Sequence, residues 1–297
     1  MEYRRLPLDG LNNARDLGGY PVVGGGATAF RRFIRCEAPR NLSDRDIEFL
    51  KSYGVTVSID FRGDSEISRH PSCLANIQGI EYCRCVTFDK QAAFASASEN
   101  SEDSENSGNS ENSGNSENSG NSGNSENSDN NENSGNSEKG EKRPAMDAFV
   151  DWGEKYIEIA DKSRDWIRDT LNVMARADGA VLFNCATGKD RTGIIAALLL
   201  GLAGVKEDDI VADYSVSEIY LKEQYEELLA GFLEKWPDEK ADVNSPFFKT
   251  APSNMETLLR HISETCNGVE SFVMSCGIDE NTITTLRKKL VIGNDQP

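Results

Sequence analysis

Ala180-Val181-Leu182-Phe183-Asn184-Cys185-Ala186-Thr187-Gly188-Lys189-Asp190-Arg191-Thr192-Gly193, followed at once by Ile194-Ile195-Ala196-Ala197-Leu198-Leu199-Leu200, is the stretch on which the fold turns. The first apolar run reads as a buried strand and the second as a buried helix. Between them lies a tight loop with a cysteine at the strand's end and an arginine at the helix's start. A loop of this kind turns its backbone N–H groups inward and ends on a helix N-terminus, so it forms a cup for a phosphate. Cys185 sits at the base of the cup. Arg191 brings a planar fork that can hold two phosphate oxygens at once. The order predicts an α/β fold with a thiol beneath a bound phosphate.

A bare cysteine with an arginine six positions on is weak evidence. Of the seven cysteines, however, only Cys185 has that arginine. Gly188 permits a backbone bend inside the loop, and Thr192-Gly193 opens the helix. The plain alternative is a buried structural cysteine ahead of a core helix. A nucleotide-binding P-loop is excluded, because position 183 is Phe where that motif needs Gly, and position 190 is Asp where it needs Ser or Thr.

Cys-x-x-Gly-Lys-Asp-Arg-Thr-Gly resembles the signature of the bacterial tyrosine phosphatase group that also acts on serine/threonine phosphates and phosphoinositides. Asn13-Ala14-Arg15-Asp16-Leu17-Gly18-Gly19-Tyr20 resembles the group's N-terminal Arg-Asp-Leu-Gly-Gly block. Ser58-Ile59-Asp60-Phe61-Arg62, with Glu66 after it, is similar to its Asp-Leu-Arg…Glu strand end. Val211-Ala212-Asp213-Tyr214 and Gly277-Ile278 fit as well. The likeness covers nearly the whole chain apart from one insertion. It implies a tyrosine phosphatase-like fold with a central mixed sheet flanked by helices, needing no metal or cofactor. It also implies a phosphorylated protein (phosphotyrosine) or a phosphoinositide as substrate. The group carries His before the nucleophile, where this chain has Asn184.

The chain has 297 residues and a formal net charge of −18, which is unexpected for an enzyme acting on anions. Ten acidic residues and no basic one lie between Glu99 and Glu138, so the remainder is much closer to neutral. Ser98 to Glu141 is built on Ser-Glu-Asn and Ser-Gly-Asn units without an apolar residue. Such a segment cannot offset the cost of ordering its backbone, and it reads as a disordered insertion within a single domain spanning 1–297. Its charge, tethered just after Asp89, would repel anionic substrates. Basic character elsewhere is local, so nucleic-acid binding has no support. The cysteine spacing shows no Cys-x-x-Cys pair, and His70 and His261 are the only histidines. Free thiols in a reducing compartment are expected rather than a zinc site. The N-terminus shows no apolar signal segment and no run is long enough to span a bilayer, which points to the cytoplasm.

Ala29 to Cys36 alternates as a strand does. Ser43 can cap a helix through Tyr53, closed by Gly54. Val55 to Ile59 and Tyr82 to Val86 read as strands. Helices are expected from about Ala145, across Asp208 to Trp236 with a possible break, over Asn254 to Cys266 behind a Ser253 cap, and near Asn281 to Val291.

The chemistry needs Cys185 as thiolate, and the helix N-terminus, the loop N–H groups of Ala186, Thr187, Gly188, Lys189 and Asp190, and the cations Lys189 and Arg191 all favour that form. Thr192 can donate to the thiolate as it leaves. Lys189 is also a cation that can meet a second phosphate of an inositol ring. The departing oxygen needs a proton donor. Asp60, Asp64 and Asp190 compete for that role. Asp89 follows the strand end before the insertion, where the resembling group carries its acid, and it is the choice here. Two rival functions remain: a phospho-binding module without turnover, or another thiol enzyme with Cys83 or Cys85 as resolving partner.

Overall fold

The computed structural model describes residues 4–87, 151–235, 242 and 244–293. Asp89, the acidic segment 98–141 and Trp236 lie outside the described residues. The described strands are β1 (Arg15–Asp16), β2 (Ala27–Thr28), β3 (Phe33–Cys36), β4 (Val55–Asp60), β5 (Glu81–Arg84), β6 (Ala180–Asn184) and β7 (Val291–Ile292). Five of them form one mixed sheet in the order β1-β3-β6-β4-β5. In it β3, β6, β4 and β5 run parallel, and β1 pairs antiparallel at one edge. Strand β6 arrives from beyond residue 150 and inserts between β3 and β4. The sheet therefore draws on chain from both sides of residues 88–150, and the carboxyl ends of the parallel, adjacent β3, β6 and β4 lie side by side.

Strand β6 is buried at every position because the sheet is covered on both faces. Side chains alternate across it. Ala180 and Leu182 join Ile34, Leu50, Val55 and Leu74 on one side. Val181 and Phe183 join Phe33, Ile59, Phe61 and the helices on the other. Burying each of these large side chains contributes about 1.5–3 kcal/mol.

The helices are α1 (Asp44–Tyr53), α2 (Asp64–Arg69), α3 (Trp152–Lys162), α4 (Arg164–Arg176), α5 (Asp190–Ala203), α6 (Glu207–Ser215), α7 (Ser217–Tyr220), α8 (Lys222–Lys235), α9 (Pro252–Cys266), α10 (Val269–Ser275) and α11 (Glu280–Leu290). Helix α5 is apolar on all sides and is buried almost throughout, as expected of a core helix. Helix α1 starts with a reciprocal capping box between Ser43 and Asp46 and closes on left-handed Gly54.

Several expected boundaries shift. The strand expected over Ala29–Cys36 is shortened to Phe33–Cys36. Arg31 adopts a left-handed backbone, φ +62°, and its amide donates to Asp16 Oδ2 at 2.7 Å. Alternation alone does not show a bend imposed by a distant carboxylate. Helix α9 begins at Pro252 rather than behind Ser253, because proline at the first turn brings a helical φ and no donor to satisfy. The stretch after Asp208 is broken, as the sequence allowed, into α6, α7 and α8, whereas α10 follows left-handed Gly268 where no helix was expected.

Candidate active site

The loop Cys185–Lys189 sits where β6 ends and α5 begins. Its shape is imposed from outside by a buried polar clamp. Asn13 Nδ2 donates to the Thr187 carbonyl at 3.0 Å and to the Gly188 carbonyl at 3.3 Å. Arg35 Nη2 donates to the Gly188 carbonyl at 2.8 Å and to that of Lys189 at 3.3 Å. The Ala38 amide donates to the Ala186 carbonyl at 3.1 Å. In a trans peptide C=O and N–H point oppositely. With the carbonyls of 186–189 drawn into this clamp, the amides of 187–190 point to the opposite side. This is the concave set of N–H donors that an anion needs.

Gly188 makes the turn possible. Its φ is +68°, and a Cβ there would stand 2.3 Å from the carbonyl carbon and oxygen of Cys36. No side chain fits between the loop and β3.

Asp213 is the keystone of the clamp. It accepts from Arg15 Nε at 3.0 Å, from Tyr20 Oη at 2.9 Å and from Arg35 Nη1. Arg15 also donates to Asn13 Oδ1 at 2.6 Å and to Ser217 at 2.9 Å. Burial alone would raise the Asp213 pKa. The charges of Arg15 and Arg35 overcome it and hold the carboxyl down at about 2. Three stretches singled out in the sequence, around Arg15, Asp213 and Cys185, thus form one network. Arg35 was missed. Its only signal was a charged residue in a strand where both faces are buried.

Arg191 is fixed separately. Its Nη1 and Nη2 donate to Glu66 Oε2 and Oε1 at 2.9 and 2.8 Å, and Nη1 also reaches the Phe61 carbonyl at 3.2 Å. Glu66 in turn accepts the Gly63 amide at 2.9 Å. Burial opposes the Arg191 charge, but Glu66 and the neighbouring Cys185 raise its pKa above the ordinary value. The end-on grip by Glu66 leaves the Nε edge of the fork for another anion.

Cys185 is 2% exposed, at the bottom of the cup. Asn184 Nδ2 donates to the Cys185 carbonyl at 3.2 Å, so the amide stands as a backbone brace where an imidazole is usual. The Thr192 hydroxyl is buried without a hydrogen-bond partner. Asp190 is 20% exposed at its side chain and accepts the Tyr156 hydroxyl, which also bonds Tyr214 at 2.7 Å. The Lys189 ammonium donates to the Phe247 carbonyl at 2.7 Å and lies 5.0 Å from the Trp152 ring centroid. Its side chain is 3% exposed. Asp60 is consumed by Arg62 and by the Tyr82 hydroxyl at 2.9 Å. Asp64 is 87% exposed and pairs with Arg84.

Cys36 is the thiol nearest in register, since it pairs with Asn184 across β3 and β6. Burial raises its pKa well above the usual thiol range, with Glu37 adding to the effect. Cys83 instead lies by Glu81 and Arg176.

Residues 6–292 match the sequence profile of the tyrosine phosphatase family. The chain belongs to that family. A tyrosine-protein phosphatase of Nostoc commune is 26% identical over 272 residues, covering 87% of this chain and 74% of its own length. A Cupriavidus necator protein is 28% identical over 209 residues, 70% of this chain and 61% of its own. The triple specificity protein phosphatase PtpB of Mycobacterium tuberculosis is 28% identical over 120 residues, 37% of this chain and 44% of its own. The protein is a cysteine-based phosphatase acting on phosphorylated substrates, and a binding module without turnover is not favoured. Among the described residues no helix is long and apolar enough to cross a membrane.

Proposed function

We propose that Cys185 is the nucleophile of a phosphomonoester hydrolase and that Arg191, with the backbone amides of Ala186, Thr187, Gly188, Lys189 and Asp190 and with Thr192, binds the phosphoryl group. The observation that carries this reading is the cup itself: inward amides, a guanidinium fixed by Glu66 and a thiol beneath both. The Cys185 thiolate attacks phosphorus, a phosphocysteine forms and the P–O bond to the leaving group breaks. Charge on the three equatorial oxygens is met by the amides and the Arg191 fork. The leaving oxygen takes its proton from an acid. Water then attacks the phosphocysteine and gives that proton back, releasing inorganic phosphate and a thiolate that Thr192 can stabilise by donation.

For the acid we propose Asp89. A second reading, Asp190, is favoured by one observation: it stands at the cup, partly exposed, beside Arg191. The two readings separate on leaving groups. Loss of the true acid slows alkyl phosphates far more than aryl phosphates that depart unaided.

The substrate class we infer is a phosphotyrosyl protein or a phosphoinositide, met in the cytoplasm. PtpB, which matches this chain, is described as a triple specificity phosphatase, and that breadth is what supports keeping both classes. The test is turnover of p-nitrophenyl phosphate in EDTA by the wild type, Cys185→Ser and Arg191→Lys. Both variants should fall by several orders of magnitude, since serine is not ionised and an ammonium lacks the fork. Near-normal turnover by either would sink the mechanism.

A further inference from the structure

Arg40 takes no part in the chemistry above, yet its position and environment are unlike those of the other arginines around the cup. It lies in the loop leaving the carboxyl end of β3. That loop is pinned. The Ala38 amide bonds the cup at the Ala186 carbonyl, the Cys73 amide donates to the Pro39 carbonyl at 2.8 Å, and the Cys73 thiol donates to the Arg40 carbonyl at 2.7 Å. The backbone of Arg40 is therefore held two residues beyond the point where its loop bonds the cup.

Its side chain is half-buried. Among the described residues its guanidinium has no hydrogen bond and no ion pair. The charged groups in electrostatic range are Arg62, Glu66, Glu37 and Asp60. The three carboxylates are already engaged, Glu66 by Arg191, Asp60 by Arg62, and Glu37 by the Asn12 and Asn13 amides. Burial, then the Arg62 charge, push the Arg40 guanidinium below its ordinary value. By contrast Arg15, Arg35, Arg62 and Arg191 each hold a carboxylate. Lys189, the other cation at the loop, is engaged by the Phe247 carbonyl. A cation partly withdrawn from water with no hydrogen-bonded counter-ion gains when an anion arrives to meet it.

We propose that Arg40 is a subsite for a second phosphate carried on the substrate beside the one held over Cys185. This rests on the reading of the Cys185 cup. The favoured substrates are then small bisphosphates with neighbouring phosphate groups, such as vicinal phosphates on a polyol ring, over the matching monophosphates. A phosphate suits the site better than a carboxylate does. It carries about −1.5 to −2 charge and three acceptor oxygens, enough to hold a guanidinium against three fixed carboxylates nearby.

The test uses full-length protein carrying Cys185→Ser, which binds without turning over, and isothermal titration with a soluble vicinal inositol bisphosphate and its monophosphate. Adding Arg40→Gln should raise Kd for the bisphosphate about 10- to 100-fold, the usual range for a hydrogen-bonded charge. It should raise Kd for the monophosphate less than about threefold, and Arg40→Lys should fall between wild type and Arg40→Gln. With Cys185 restored, Arg40→Gln should lower the ratio of kcat/KM, bisphosphate over monophosphate, by the same factor. Equal losses for both ligands would make Arg40 a structural residue, and no loss would empty the subsite. A loss confined to phosphotyrosyl peptides with acidic flanks would assign the site to peptides and overturn the proposal. If Cys185→Ser keeps its turnover, the reading of Cys185 as nucleophile fails. The Kd contrast at Arg40, measured then with a non-hydrolysable phosphonate pair, still decides this subsite.

Discussion

Replacing Asp213 by asparagine removes the negative charge between two buried arginines. Arg15 and Arg35 would face an amide instead, with Arg15 Nε 3.0 Å away and all three side chains almost fully buried. Breaking a buried pair in this way costs about 3–5 kcal/mol. For a domain of this size that is a fall in Tm of roughly 6–20 °C. The damage should also reach the cup, because Arg35 fixes the Gly188 carbonyl at 2.8 Å. A displacement of the loop by about 1 Å is worth about a hundredfold in kcat. The same group gives a pH signature. Its carboxyl titrates at about 2 in the folded protein against 3.8 for an unperturbed aspartate. Folding therefore favours the ionised form. That stabilisation is complete above the unfolded value and is lost as pH falls through about 2, a difference of about 2 kcal/mol. Thermal unfolding of wild type and Asp213→Asn between pH 7 and pH 2, with p-nitrophenyl phosphate turnover at pH 7, measures all of this. The stability gap should narrow below about pH 4. A variant with unchanged Tm and kcat would refute the clamp.

Other substitutions probe the remaining parts. Gly188→Ala forces a Cβ to 2.3 Å from the Cys36 backbone at φ +68°. It should cost at least about 2 kcal/mol of stability with most of the activity, and a melting curve like wild type would contradict the close approach. Glu66→Gln replaces the bidentate carboxylate on Arg191 with a single amide oxygen, so kcat should fall about 10- to 100-fold while Arg191→Lys falls further; steady-state kinetics decides the order. Asp89→Asn should slow alkyl phosphates more than aryl phosphates and flatten the alkaline limb of the pH–rate profile. That pattern in Asp190→Asn instead would move the acid to the loop.

Much of the fold was legible because its central pieces are local. The β6 and α5 runs differ in length and sit on either side of a loop whose residue types suit only a few conformations. The Ser43 cap and Gly54 closure are likewise written within a dozen residues. What was not legible depends on distant partners. The bend at Arg31 is held by the Asp16 carboxylate, fifteen positions back in the chain. In the site, Cys185 and Arg191 could be named from spacing, but the clamp could not be assembled. Arg35 and Asp213 are 178 residues apart, and nothing in either neighbourhood announces the other. Lys189 shows the converse, since its sequence suggested a free phosphate-directed charge and the fold ties it to the Phe247 carbonyl.

The central claim is that the phosphoryl group passes through Cys185. Rapid acid quenching of the wild-type protein during turnover of an aryl phosphate, followed by peptide mass mapping, tests it directly. The phosphoryl group should be found on the peptide carrying Cys185, and should be absent from Cys185→Ser. A phosphoryl group on a different residue, or sustained turnover with Cys185 replaced, would contradict it.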